Sequence, residues 1–140
     1  MGGAPRPTAA FGTMPLPREP TEAAPDSSDV RVLLRLDGGS MIHFTRPAGA
    51  ASVAVVHRSV EEIWYVLSGS GRIWRRQGEF EEVTELAPGT CLTLPRETSF
   101  QFRAGPAESL AVVAVTMPPW PGDGESAAVS GPWMPGPDRA

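Results

Sequence analysis

Residues Gly49 to Gly71 read GAASVAVVHRSVEEIWYVLSGSG, and the alternation of apolar and titratable residues there decides the fold. Val53, Val55 and His57 fall on one face of a strand with period two, and Glu62, Trp64 and Val66 on one face of the next. Ser68, Gly69, Ser70 and Gly71 form the turn that follows. The spacing predicts a hairpin whose adjacent strands aim one histidine and one carboxylate inward. An unpaired carboxylate in a core is costly, so Glu62 needs a partner, and His57 is the nearest.

Outward from this stretch the same rhythm continues. Short β-rich runs span Val30 to Leu36, Met41 to Thr45, Ser52 to His57, Ile63 to Leu67, Arg72 to Arg76, Glu82 to Leu86, Thr90 to Leu94, Ser99 to Arg103 and Leu110 to Thr116. Turn residues separate them, among them Asp37-Gly38-Gly39, Pro47-Ala48-Gly49, Ala87-Pro88-Gly89 and Ala104-Gly105-Pro106. No helical periodicity lasts beyond about a turn. The pattern predicts an all-β sandwich or barrel over residues 29–117. Residues 1–28, with prolines at 5, 7, 15, 17, 20 and 25, read as a disordered tail, with a lesser alternative that Phe11 to Leu16 lies along the barrel or a partner subunit. Residues 118–140 form an irregular Pro- and Trp-containing extension. Within it Trp120, held by Pro118, Pro119 and Pro121, is expected to fold back over a barrel edge, whereas Trp133 is equally readable as packed or loose.

The chain has 140 residues, room for one domain, and 41% hydrophobic residues supply one modest core. Its net charge of -4 is spread along the chain, which argues against nucleic acid and anionic membrane as partners. Arg72, Arg75 and Arg76 read as a solvated strand face. Every basic residue is arginine, and lysine and asparagine are absent, a bias that suggests a high-GC bacterial genome. Cys91 is the only cysteine, so no internal disulfide is possible, and its CLTL context predicts a small buried hydrophobe. No apolar run reaches the length of a membrane span and the N-terminus lacks the pattern of a secretory signal, so a cytoplasmic location is expected.

Residues 49–71 resemble the first motif of the cupin superfamily: Gly, five residues, His-x-His, three or four residues, Glu, six residues, Gly. Gly49 opens the register, Val55 and His57 take the two histidine positions, Glu62 follows after four residues and Gly69 closes it after six more. The second motif is traceable from Gly89 through Pro95, with Glu97 in place of its second glycine, Phe100 of its histidine and Ala104 of its asparagine. The resemblance spans about residues 40–117 and implies a double-stranded β-helix, the cupin jelly-roll barrel. It further implies a small-molecule substrate and a homodimer.

In metal-dependent cupins the ligands are the two histidines and the glutamate of the first motif and the histidine of the second, which here become Val55, His57, Glu62 and Phe100. Two donors are too few for a tight divalent site, so no metal or other cofactor is expected. His43 and Gln101 are the remaining candidates for a third donor, although nothing in their spacing selects them. The resemblance also admits metal-independent isomerases. The inferred lining, Val53, Val55, Trp64, Val66, Phe100 and Phe102 around His57 and Glu62, suits a largely apolar substrate, and a histidine oriented by a carboxylate is a plausible general base. The expectation is therefore acid/base chemistry, isomerisation, cyclisation or dehydration, possibly in bacterial secondary metabolism. A metal-dependent oxygenase or decarboxylase and a non-catalytic binding barrel are the alternatives. Tyr65 and Glu61, out of phase with Glu62, are expected to face outward, and Trp74 is readable as core or interface.

Overall fold

Alternating burial is what the side chains demand once the backbone is extended, and two of the long strands show it clearly. In Leu110–Met117 every second residue is buried, and in Glu61–Ser68 the buried positions are Glu62, Trp64 and Val66. The structure, a computed structural model, describes residues 10–24, 27–122 and 124–136. Residues 1–9 and 25–26 of the tail expected to be disordered, and residues 123 and 137–140 of the extension, lie outside the described residues.

Eleven strands are formed among the described residues: β1 (Glu22–Ala23), β2 (Asp29–Leu36), β3 (Gly39–Arg46), β4 (Val55–His57), β5 (Glu61–Ser68), β6 (Gly71–Gln77), β7 (Phe80–Leu86), β8 (Cys91–Leu94), β9 (Ser99–Ala104), β10 (Leu110–Met117) and β11 (Ser126–Ala128). They build a six-stranded sheet in the order β1-β2-β3-β10-β5-β8 and a five-stranded sheet in the order β11-β4-β9-β6-β7, antiparallel throughout. Two such sheets facing each other make the all-β double-stranded β-helix. No helix among the described residues is long and apolar enough to cross a membrane.

Register places the interior of the six-stranded sheet in rows. Val30, Phe44, Val112 and Val66 are successive cross-strand partners, as are Val32, Ile42, Ala114, Trp64 and Leu92. A third row runs Arg35, Ser40, Thr116, Glu62 and Leu94. The first two rows are apolar and, apart from the exposed Val32 and the partly buried Ile42, join Phe100, Phe102 and Ile73 from the opposite sheet in one buried cluster. Four rings lock it edge to face: Trp64 lies 4.8 Å from Phe44, 5.0 Å from Phe102 and 5.8 Å from Phe100. The third row is polar, and it lies at the end of the barrel where the site forms.

Three expectations require correction. His57 and Glu62 are not on paired strands: β4 belongs to the five-stranded sheet and β5 to the six-stranded one, so Arg58–Val60 is a crossing between sheets. Cys91 is exposed, because it pairs with the outward-facing Tyr65 while Leu92 and Leu94 take the inner positions. Within the tail read as disordered, Glu22 and Ala23 pair with Val30 and Asp29, and Arg31 donates to the carbonyls of Pro17 and Arg18. Tyr65 is exposed and Trp74 is buried with the Arg76 guanidinium over its ring.

The motif positions explain themselves locally. Gly69 has φ 83°, and a Cβ there would run into the Ser109 carbonyl, so only glycine closes the first motif. Glu97, standing where the second motif has glycine, keeps the left-handed backbone at φ 67°.

Candidate active site

The polar end is assembled from both sheets and the C-terminal extension. Glu62 reaches inward from β5 and His57 from β4, and His57 Nε2 lies 2.7 Å from Glu62 Oε2. Both side chains are buried. Trp64 Nε1 donates to the other carboxylate oxygen, Oε1, at 2.9 Å. Ser126, the β11 partner of His57, places its hydroxyl 2.8 Å from His57 Nδ1. Because the carboxylate accepts, the proton between the pair sits on Nε2, and in the neutral ring Nδ1 then accepts from the Ser126 hydroxyl. The ring stands edge-on to Phe100 at 5.2 Å and to Trp120 at 5.0 Å.

A cavity of ≈ 270 Å³ opens beside this pair, lined by Glu22, Ala24, Val30, Val32, Arg35, Ser40, Ile42, His57, Trp120, Pro121 and Gly122. Hollows of ≈ 140 and ≈ 290 Å³ lie against Arg75 and Glu82 and against Arg72 and Arg103, but His57 and Glu62 line neither. Of the residues expected around the substrate, His57 alone contributes to the cavity wall. Val55, Trp64, Val66, Phe100 and Phe102 are sealed in the core, at 2% exposure or less, and Val53 packs half-buried against it. They fill the barrel so tightly that the free volume moves to the mouth between β2, β3 and the extension.

The extension closes that mouth, as expected for Trp120. The Trp120 amide donates to Ser40 Oγ at 3.1 Å, and Ser40 and Thr116 share a short hydrogen bond. Glu125 is clasped by the Ser59 amide at 2.6 Å, the Ser59 hydroxyl at 2.8 Å and the Val60 amide at 2.7 Å. Burial alone raises its carboxyl, but the Ser59 and Val60 donors and the nearby His57 outweigh burial and hold it below the usual 4.5. Farther along, the Gln101 amide donates to the Ser52 and Trp133 carbonyls and accepts from the Trp133 amide, so Trp133 is packed and half-buried. Sequence reasoning missed Ser126 and Glu125; the short apolar run after them, AAV, was the available signal.

His43 and Gln101, considered as further metal donors, are on outer faces. His43 lies beside Arg31 and Val113, where burial first and then the Arg31 charge lower its pKa from the usual 6.5. Among the described residues no three His, Cys, Asp or Glu side chains converge. With Val55 and Phe100 at two ligand positions and His57 bonded to Glu62, this donor set does not fit a divalent ion held by protein ligands.

No family model matches the sequence, and no curated protein matches it. Solved structures do. An uncharacterized protein with a double-stranded β-helix domain from Klebsiella pneumoniae superposes with a TM-score of 0.62 at 19% identity, covering 80% of this chain and 92% of that one. The Streptomyces nucleoside dehydratase Pac13, solved as a variant with uridine, gives 0.64 at 13% identity over 85% and 92% of the two chains. KdgF from Halomonas sp. gives 0.58 at 20% identity over 70% and 85%. Strand order, interior rows and these likenesses agree: the chain folds as a small cupin-type double-stranded β-helix domain.

Proposed function

We propose that this protein is a metal-independent small-molecule enzyme whose reaction turns on proton transfer, an isomerisation, cyclisation or dehydration of a mostly apolar substrate. The observation that carries the reading is the His57–Glu62 pair, 2.7 Å apart and buried, with the His57 ring on the cavity wall. Glu62 accepts from Nε2–H and so fixes the ring; Nδ1 of the neutral ring holds the lone pair that receives a proton. In the resting arrangement that lone pair is covered by Ser126. A substrate proton therefore reaches Nδ1 through the Ser126 hydroxyl, which gives up its own proton as it takes the new one, or directly once Ser126 withdraws. The dehydratase among the structural neighbours is compatible with such chemistry on this fold.

Incubation with candidate aldehydes and ketones in D2O, followed by mass spectrometry, tests the reading. Wash-in of deuterium beside the carbonyl is expected, falling by about two to four decades in His57→Gln. Undiminished wash-in in folded His57→Gln protein refutes it. One observation favours a second reading, a non-catalytic binding barrel: both His57 nitrogens already have partners. Binding without any wash-in supports that reading.

A further inference from the structure

The polar row holds a second group that the acid/base chemistry does not use. Val32 pairs with Ile42, and the next pair is Arg35 with Ser40, so Leu33 and Leu34 together oppose Met41. That extra residue is a β-bulge. With strict alternation Val30 and Val32 would face inward and Arg35 outward; the bulge reverses the phase and puts Arg35 on the cavity wall beside Ser40. Bulges re-aim side chains at barrel rims in this way.

Along the row the other polar groups are satisfied. Ser40 and Thr116 bond to each other, and Glu62 accepts from His57 and Trp64. Arg35 has no hydrogen-bond or ion-pair partner among the described residues. Glu22 lines the same cavity and Asp37 follows two residues later in the turn to β3, and Arg35 forms an ion pair with neither. The protein as a whole carries a net charge of -4, so attraction for an anion has to come from this one local cation.

We propose that Arg35 is the anion-recognising residue of the cavity, and that the ligand is an amphiphile with an apolar body and a single carboxylate. The body lies against Val30, Ile42 and Trp120; the planar carboxylate matches one guanidinium fork. A phosphate dianion needs a second cation, and the only other basic side chain on the wall, His57, is engaged. This deepens the acid/base reading and rests on it: the carboxylate at Arg35 holds the body so that its far end meets the His57–Glu62 pair.

Calorimetric titration with 2-naphthoate and with neutral 2-naphthylmethanol separates the two claims. Arg35 is exposed and unpartnered, so Arg35→Gln is expected to fold normally. The naphthoate should bind the parent at least about tenfold more tightly than the alcohol, Arg35→Gln should erase that preference while leaving alcohol binding intact, and Arg35→Lys should restore part of it. Equal binding of both probes, or naphthoate binding unchanged in Arg35→Gln, overturns the inference while the cavity stands. Failure of both probes to bind the parent overturns the cavity and the inference together.

Discussion

The two ends of this barrel share the same strands but are filled in opposite ways. Toward one end Phe44, Trp64, Phe100 and Phe102 interlock with no room for a ligand; toward the other the same strands present Arg35, Ser40, Thr116 and Glu62, facing His57 and Ser126. A single step of two residues along β5, from Trp64 to Glu62, crosses from one to the other, and the indole N–H of Trp64 donates to the Glu62 carboxylate across the boundary. The rings do more than fill space: they hold the acid/base pair in place. The aromatic cluster therefore packs the core, and the polar row holds Glu62, one member of the pair proposed for the chemistry.

Substitutions break the comparison in order of size. Phe102→Ala removes a fully buried ring in contact with Phe44 and Trp64 and should cost about 3–5 kcal/mol in chemical denaturation. His57→Gln or Glu62→Gln, each leaving a buried partner short of a bond, should cost about 1–3 kcal/mol in the same measurement, with a double mutant destabilised by less than the sum. Equal losses at Phe102 and His57 would erase the division between the ends. The extension gives the smallest effect. Because the Glu125 carboxyl is held below its usual value when folded, its contribution is present above about pH 4.5 and lost as pH falls through the lowered value. Limited proteolysis of residues 118–136 should accelerate over that acid range, and Glu125→Gln should show the faster cleavage already at neutral pH. A pH-independent rate with an unchanged variant would mean that Glu125 does not hold the extension.

Much of the fold was legible because period-two alternation is strict on strands with one buried face: Glu62, Trp64 and Val66, and Val55 and His57, face inward as read. Alternation says which way a side chain points but not which sheet the next strand joins, so the crossing at Arg58–Val60 looked like a hairpin. It also assumes an unbroken phase. The run VRVLLRL hides the bulge at Leu33–Leu34, and with it Arg35. Cys91 failed for a related reason, since both phases of CLTL are compatible with a strand and only pairing with Tyr65 selects one. Ser126 and Glu125 sit in a composition that predicts irregular chain, and their order comes from contacts 65 or more residues away.

The chain holds 2 histidines, both buried, and they mark the two sides of the wall: His57 is on the cavity side, His43 on the outer side. A titration with 2-naphthoate followed through the imidazole resonances in ¹H–¹⁵N spectra tests the central claim most directly. The account predicts that His57 shifts progressively while His43 stays fixed. Binding that moves His43 and leaves His57 unchanged would place the ligand outside the barrel and contradict it.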